Sequence, residues 1–318
     1  MYVILDTHHD TADYGNGMIM SQCNPPSDYV TWKTDVPFQL WNAESQTASN
    51  AEMCKNITRM WTLLANLFKD YNHHLIFEGY NEILGKVRGG AGAWDAPNET
   101  RQTYARNLNQ AFINAVRATG GKNATRVLSV ESYGAMLDSA SVASVKNLTD
   151  SATDALLLQV HYYITSSTAI IDQSKHIRAL GKPVILGEMA WKDADKTVHD
   201  DNMHDFAQNY VANAKKVGIK SFWWDENTFV DYGAARSFGL FNRNTLTWDR
   251  PRTAQGVIDG ASGNTVEPKY KSEYNATAEN VDADFKNGTY YAVANKTIDA
   301  IEEVGNLSSS YTGNGLLC

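Results

Sequence analysis

Short apolar runs rich in β-branched residues alternate along this chain with longer segments whose apolar residues recur at helical spacing. Because the short runs are apolar throughout, they predict strands that are buried on both faces, as in a parallel sheet. The predicted strands are Tyr2–His8, His74–Tyr80, Arg126–Val130, Ala155–His161, Pro183–Glu188 and Ile219–Trp224. The predicted helices between them are Met53–Tyr71, Thr100–Thr119, Ala169–Leu180 and His199–Val217.

The connections between these elements are asymmetric. Segments that follow a helix are short and glycine-containing, whereas segments that follow a strand are longer and more polar. This asymmetry is typical of a barrel in which the loops after the strands carry the function. We therefore predict an α/β fold of the (β/α)8 TIM-barrel class.

Six strand–helix units are visible in the sequence, whereas a closed barrel of this class needs eight. An open wedge of parallel strands would expose two edges, which natural proteins avoid. We therefore expect an N-terminally truncated barrel over residues 1–255, with the first two units missing. Residues 256–318 are more polar and contain one helical pattern, Tyr291–Val304, which predicts a partly irregular C-terminal extension.

Composition and charge exclude several classes of protein. Hydrophobic residues make up 43% of the 318 positions, so a sizeable core is expected. The formal net charge of −8 argues against nucleic acid or an anionic membrane as a partner. No apolar run approaches the ~20 residues that span a bilayer. A strand-like run already begins at residue 2, so no signal peptide is expected.

Cysteines and glycosylation sequons give weaker signals. Three cysteines, Cys23, Cys54 and Cys318, predict no disulfide framework, and a Cys23–Cys54 bridge and free thiols both stay open. Asn-x-Ser/Thr sequons are roughly twice as frequent as chance would give, which hints at passage through a glycosylating compartment. The eight sequon asparagines are Asn56, Asn98, Asn123, Asn147, Asn275, Asn287, Asn295 and Asn306.

Reactive side chains lie at the C-terminal ends of five predicted strands. A buried strand end is a poor place for charge unless the charge is paired or used, and in a barrel these ends meet on one face. Among these residues, Glu82 and Glu188 form the type of carboxylate pair that most glycoside hydrolases use. The five sets are His8, His9 and Asp10; Asn81 and Glu82; His161, Tyr162 and Tyr163; Glu188; and Trp223, Trp224 and Asp225.

Several of these segments are similar to a known family. The chain resembles glycoside hydrolase family 5, the cellulase family, and within it most closely the subfamily numbered four, of endoglucanases, lichenases and xyloglucanases. The resemblance covers about residues 2–255. The matching segments are Val3–Asp10, Leu75–Glu82, Ala115–Asn123, Val160–Tyr163, Val184–Glu188, Phe222–Asp225, Phe238–Arg243 and Leu246–Trp248.

The resemblance implies a retaining endo-β-1,4-glucanase that cleaves cellulose-type polysaccharides, with Glu82 as acid/base and Glu188 as nucleophile. The two carboxyl groups of such a site lie ~5–5.5 Å apart. It also implies a secreted monomer that binds β-glucan and needs no cofactor or metal. The family's site arginine lies on the second barrel strand, for which this chain has no matching strand.

The resemblance assigns binding roles to the remaining residues. Asn81 would bind the sugar 2-hydroxyl, Tyr163 would hydrogen-bond Glu188, and His161 would lie near Glu82. The other implied sugar contacts are His8, with His9 beside it, and the stacking ring of Trp224, or of Trp223 if the register differs by one residue.

Three alternatives stay open on the sequence alone. The chain could be an inactive or carbohydrate-binding remnant of such a barrel. It could be a metallohydrolase that uses His8, His9, Asp10 and His161, because such clusters bind zinc. Mannanase or xylanase activity on the same scaffold is the third, since the fold does not set the substrate.

Overall fold

The computed structural model of this protein describes residues 2–8, 50–84, 94–192, 200–225, 238–243 and 246–266. Its strands are β1 Val3–Leu5, β2 Leu75–Glu78, β3 Leu128–Glu131, β4 Leu156–Ile164, β5 Val184–Trp191, β6 Ile219–Trp223, β7 Phe241–Asn242 and β8 Thr247–Trp248. Its α-helices are α1 Asn50–Leu67, α2 Glu99–Ala118, α3 Ser139–Val142, α4 Ala169–Gln173, α5 Lys175–Arg178, α6 Asp200–Lys216 and α7 Pro251–Ala261. Short 3-10 turns cover Gly121–Ala124, Tyr133–Ala135 and Ala143–Val145.

Strands β1 to β6 form one parallel sheet in chain order. All six predicted strands are present, and the sheet curls as part of a (β/α)8 barrel, so the predicted fold class is confirmed. The central strands β2 to β5 are almost wholly buried, whereas β1 and β6 at the two edges are largely half-buried. Strands β7 and β8 form a separate antiparallel pair that the hydrophobic pattern did not predict.

The long helices cover the outer face of the sheet with one apolar side each. In α2, Leu108, Phe112 and Val116 repeat at helical spacing and are fully buried. The side chain of Asn98 begins this helix by accepting the backbone N–H of Arg101, as an N-cap residue does. Helix α2 packs close to the end of β2 through Phe112, whose ring would lie 2.9 Å from a Cβ atom at Gly79.

The segment expected to form one helix, Ala169–Leu180, forms two short helices instead. The break falls at Ser174, whose hydroxyl group donates a hydrogen bond to the carbonyl oxygen of Ile171. Serine side chains that bond to nearby backbone groups compete with helix continuation. The second helix is followed by Gly181 in the left-handed conformation, with φ +66°, as the glycine predicted.

The interior of the curled sheet is layered. An apolar layer takes one residue from each strand, and two positions further along the strands the inward-facing residues are mainly polar or glycine. The apolar layer contains Ile4, Ile76, Val127, Leu157, Ile185 and Phe222. The next layer contains Asp6, Glu78, Ser129, Gln159 and Gly187. The polar end is therefore the C-terminal end of the strands, where barrel chemistry takes place.

A buried arginine ties the start of β3 to the end of α1. The guanidinium group of Arg126 donates to the carbonyl oxygens of Phe68, Tyr71, Asn72 and Leu75 at 2.7 to 3.2 Å. These carbonyls lie between the end of α1 and the start of β2, and buried carbonyl groups need hydrogen-bond partners, so this side chain fixes the connection between the two elements. Burial lowers the pKa of Arg126 to about 10, which still leaves it charged at neutral pH.

Helix α7 crosses the expected boundary between residues 255 and 256. It packs closely on α6, because a Cβ atom at Gly256 would lie only 2.3 Å from the carbonyl oxygen of His204. The packing continues past the boundary, since a Cβ at Gly260 would lie 2.5 Å from the Gln208 carbonyl oxygen. The division into 1–255 and 256–318 stays a prediction, because residues 267–318, including Tyr291–Val304, lie outside the described residues.

Two further sequence expectations concern membranes and cysteines. Within the part of the chain that the structure describes, no helix has the length and apolarity needed to cross a membrane. Cys54 lies on α1, but Cys23 and Cys318 lie outside the described residues, so the pairing of Cys23 with Cys54 stays a prediction.

Candidate active site

The two glutamates singled out by the sequence lie side by side at the C-terminal end of the sheet. One carboxylate oxygen of Glu82, one of Glu188 and one ring nitrogen of His161 all lie within 4.8 Å of one another. All three residues are at least nine-tenths buried. The barrel topology thus brings together residues that are far apart in sequence, and it creates a pair of carboxyl groups at a short separation.

His161 joins the two carboxylates. Its Nδ1 lies 2.8 Å from Oε1 of Glu82 and 3.5 Å from Oε2 of Glu188. Its Nε2 lies 3.2 Å from the side-chain nitrogen of Gln159. An amide nitrogen can only donate, so Nε2 must be the acceptor, and in this tautomer the proton on Nδ1 is donated to Glu82.

Glu188 is aimed by an irregularity in β5. The parallel register between β4 and β5 shifts by one residue, so that Val160 pairs with Leu186 and His161 pairs with Glu188. The extra residue, Gly187, has no room for a side chain, because a Cβ there would lie 2.4 Å from the amide carbon of Gln159. A bulge of this type redirects the side chain that follows it. The Glu188 carboxylate also accepts a hydrogen bond of 2.6 Å from the Tyr163 hydroxyl group.

Glu82 follows β2 in a left-handed backbone conformation, with φ 47°. The backbone that leads to Glu82 is held at the Gly79 carbonyl oxygen, which accepts hydrogen bonds from the Trp61 indole at 2.7 Å and the Thr7 hydroxyl at 3.0 Å. The Glu82 backbone N–H donates to Oε1 of Glu131 at 2.6 Å. The position of Glu82 is therefore set by its backbone as well as by His161.

A second buried carboxyl group lies beneath the pair. Gln159 donates to Oε1 of Glu78 at 2.5 Å and accepts a hydrogen bond from the Ser129 hydroxyl at 3.2 Å. Burial, reinforced by the negative charge of Asp6, raises the pKa of Glu78 to about 8. Burial also raises the pKa of Glu131 well above its usual range. Glu78 therefore favours the neutral acid at pH 7.

A further row of polar and aromatic side chains flanks the pair. His8 lies with Nδ1 3.0 Å from Oδ2 of Asp6 and Nε2 3.5 Å from the side-chain nitrogen of Asn81. Its ring is stacked on that of Trp224, with centroids 5.2 Å apart and planes 9° from parallel. Trp223 instead packs against the hydrophobic core and donates its indole N–H to the Phe238 carbonyl oxygen. Trp224 therefore lies beside His8, whereas Trp223 does not, and the role of either ring in stacking on a sugar stays a prediction.

Comparison with known proteins places this arrangement in a family. The glycosyl hydrolase family 5 cellulase profile matches residues 1–229 of the chain. The chain belongs to glycosyl hydrolase family 5. The residues described above are therefore those of a family 5 barrel.

Family 5 relatives support the same placement. Endoglucanase B of Clostridium cellulovorans is 30% identical over 252 residues, which are 70% of this chain and 54% of that protein. Endoglucanase B of Neocallimastix patriciarum is 30% identical over 74% of this chain and 52% of its own length. The chain therefore spans about half the length of these curated relatives.

Solved structures of family 5 enzymes have the same fold. A broad-specificity endoglucanase of subfamily 4 from Ruminococcus champanellensis, with bound cellotriose, has a TM-score of 0.62 and 28% identity, and the match covers 81% of this chain and 70% of that one. A lichenase from Caldicellulosiruptor sp. F32, in complex with cellotetraose, has a TM-score of 0.59 and 27% identity, over 81% and 69% of the two chains.

The sequence reasoning missed three residues of this family 5 site. Glu131 ends β3, and it was overlooked because that strand was predicted to stop at Val130. A carboxylate directly after an apolar run was the same signal that identified Glu82. Glu78 and Gln159 stand inside strands that read as apolar, and their inward direction follows from the strand period once the register is known. His9 and Asp10 lie outside the described residues.

Two groups of side chains have a ligand geometry that could hold a metal ion. In the described part of the chain they are Glu78, Glu131 and His161, and Glu82, His161 and Glu188. Only His161 belongs to the set that the metallohydrolase alternative required. Two of the four residues in that set, His9 and Asp10, lie outside the described residues, so the alternative stays untested.

Proposed function

We propose that this protein is a retaining endo-β-1,4-glucanase in which Glu188 is the nucleophile and Glu82 is the acid/base. The observation that carries the proposal is the short separation of the two carboxyl groups, whose nearest oxygens lie within 4.8 Å. Retaining enzymes hold their carboxyl groups ~5–5.5 Å apart, whereas inverting enzymes leave ~6.5–9.5 Å for a water molecule.

In the first step, the ionised carboxylate of Glu188 attacks the anomeric carbon of the sugar bound next to it. The glycosidic carbon–oxygen bond breaks, and Glu82 donates its proton to the departing oxygen. The hydrogen bond from Tyr163 to Glu188 holds the attacking carboxylate in place. The product is a glycosyl ester on Glu188.

In the second step, Glu82 takes a proton from water, which attacks the same carbon from the opposite side and releases Glu188. Two inversions give net retention of configuration. His161 contacts both glutamates, so its ring is exposed to the change in charge on each of them between the two steps.

The side chains beside the pair suit a glucan. Oδ1 of Asn81 is buried and has no hydrogen-bond partner among the described residues. We expect the sugar 2-hydroxyl to donate to it, because a buried polar atom without a partner is costly. Trp224 would provide a stacking surface, and His8, with His9 beside it, would complete the subsite. A subfamily 4 endoglucanase with bound cellotriose and a family 5 lichenase with bound cellotetraose support a β-1,4-linked glucan as the substrate.

The test is hydrolysis of carboxymethylcellulose, mixed-linkage β-glucan and xyloglucan by the purified chain, measured as release of reducing sugar. Glu188→Gln should abolish turnover of every substrate. Glu82→Gln should abolish turnover of the polysaccharides. It should retain cleavage of 2,4-dinitrophenyl β-cellobioside, because the leaving group of this substrate needs little protonation. Added azide should increase the rate of that cleavage, because azide attacks the glycosyl ester without help from a base. A wild-type chain that binds these glucans without cleaving them would support the remnant alternative, and turnover of mannan or xylan alone would support the third alternative.

The site of action follows from the substrate. An insoluble or very long polysaccharide cannot enter a cell, so we expect the enzyme to be secreted, and as a monomer. Loss of activity on addition of EDTA, with recovery on addition of zinc, would instead favour the metallohydrolase alternative.

A further inference from the structure

The backbone of Glu82 adopts a conformation that residues other than glycine seldom adopt. Its φ of 47° lies in the left-handed region, where the Cβ atom of an L-residue crowds the neighbouring backbone carbonyl. Such a conformation persists only when its surroundings hold it, and it is concentrated at functional sites. The conformation of Glu82 therefore depends on contacts from neighbouring residues.

Glu131 contacts this backbone directly. Its Oε1 accepts the Glu82 N–H at 2.6 Å, between two residues that are far apart in sequence and buried. Glu131 is itself fixed, because the Asn109 side chain donates to its carbonyl oxygen at 2.9 Å and accepts its N–H at 3.3 Å. Helix α2, the end of β3 and the backbone of Glu82 thus form one connected support.

We propose that Glu131 is a positioning residue for the acid/base: its carboxyl group holds the Glu82 backbone in the left-handed conformation that directs the Glu82 side chain toward His161 and Glu188. This inference rests on the proposed function, since it concerns the same pair of glutamates. It assigns Glu131 no contact with the substrate.

The hydrogen bond from the Glu82 N–H requires an acceptor oxygen at the position of Glu131 Oε1, but it does not require a charge on that group. The titratable groups around Glu131 are His161, Glu78, Glu188, Asp6 and Tyr80, and burial raises the pKa of Glu131 well above its usual range. A neutral carboxyl group still presents its carbonyl oxygen to the Glu82 N–H. The amide of glutamine presents the same oxygen at the same distance, whereas aspartate is shorter by one methylene group.

The experiment compares Glu131→Gln with Glu131→Asp on two substrates, cellotetraose and 2,4-dinitrophenyl β-cellobioside. Cleavage of cellotetraose requires proton donation, whereas the first step with the dinitrophenyl substrate does not. Glu131→Gln should keep kcat/KM within roughly threefold of wild type on both substrates, with an unchanged pH profile. Glu131→Asp should lower kcat/KM on cellotetraose roughly 10- to 100-fold, the scale of a misplacement of about 1 Å. On the dinitrophenyl substrate it should lower kcat/KM less than threefold, because acid assistance contributes little there.

The opposite ranking overturns the inference. If Glu131→Asp is near wild type while Glu131→Gln loses activity and shifts its pH profile, the charge or proton of Glu131 matters rather than its reach. Equal losses on both substrates would point to general damage and would also overturn it. If one variant does not fold, the kcat/KM values of the other variant on the two substrates still test the inference.

Two controls separate this inference from the proposed function. Ser132→Ala removes a neighbouring, partly buried hydrogen bond, from Oγ to the Met136 carbonyl oxygen at 2.7 Å, that does not reach Glu82, and it should leave kcat/KM unchanged on both substrates. Wild-type protein that cleaves neither substrate would refute the proposed function itself, independently of Glu131.

Discussion

The hydroxyl group of Tyr163 lies 2.6 Å from Oε2 of Glu188 and donates a hydrogen bond to it. The pairing of two neighbouring strands explains why these side chains are close. Tyr163 lies two positions after His161 on β4, and His161 pairs with Glu188 on β5. Among the described residues no arginine pairs with Glu188. The tyrosine is therefore the nearest hydrogen-bond donor that this carboxylate has there, and its loss should affect the proposed nucleophile.

Replacing Tyr163 with phenylalanine should slow the enzyme without unfolding it. A hydrogen bond to a charged group contributes about 1.5–3 kcal/mol, which corresponds to a decrease in kcat/KM of roughly 10- to 150-fold on β-glucan. Initial rates of reducing-sugar release measure it. Tyr162→Phe is the matched control, because Tyr162 points to the opposite face and packs against the hydrophobic core. Equal rates for the two variants would contradict a role for Tyr163 at Glu188.

Gly187→Ala should damage the site through Gln159. The new Cβ would lie 2.4 Å from the amide carbon of Gln159, which supports Glu78 and His161. Overpacking of this type costs about 1–3 kcal/mol of unfolding free energy, and the displaced amide should lower kcat as well.

A double-mutant cycle in urea checks this cause. In a Gln159→Ala background the methyl group at position 187 has room, so its cost should fall toward zero, because contacting residues are not additive. A cost that is the same in both backgrounds would show that the clash is with something other than Gln159.

The order of the strands and the main residues of the site could be predicted from the sequence because each depends on local pattern. Glu82 and Glu188 were identified since a carboxylate directly after an apolar run is visible without any knowledge of register. Glu78 and Gln159 were not, because a polar residue inside a buried strand gives no sign of which face it occupies. The bulge at Gly187 and the left-handed turn at Glu82 depend on contacts with Gln159 and Glu131, which are distant in sequence.

The sequon at Asn123 is a further case in which contacts distant in sequence decide what a local motif can do. Its motif looks like a glycan acceptor, but its side chain is fully buried and donates to the Ala65 carbonyl oxygen at 2.7 Å. It also accepts from the Arg126 guanidinium at 2.7 Å. On secretion from a yeast host, the folded protein should carry no glycan at Asn123, whereas exposed Asn147 is open to modification. Glycopeptide mass spectrometry decides this, and a glycan at Asn123 in the folded fraction would refute the packing described here.

The buried carboxyl group of Glu78 should make the folded state less stable as the pH rises. Burial raises its folded-state pKa to about 8, whereas an unfolded glutamate titrates near ~4.3. Between these values the folded protein holds a proton that unfolding releases, so the unfolding free energy should fall with increasing pH, by up to about 1.4 kcal/mol per unit. Below about pH 4 the group is protonated in both states and contributes no slope.

Glu78→Gln should remove this slope, because the amide keeps an oxygen for the Gln159 donor but cannot ionise. We expect the variant to gain stability relative to wild type between pH 5 and pH 8, with the gain largest at pH 8. Urea unfolding at pH 5, 6, 7 and 8 measures it, and Asp95→Asn, which removes an exposed carboxylate, should leave the slope as it is. Glu131 should supply a residual slope in the same direction, since burial raises its pKa too. If the wild type and Glu78→Gln lose stability in parallel across this range, Glu78 is ionised in the folded protein, and the carboxyl group beneath the catalytic pair carries a charge that His161 must balance.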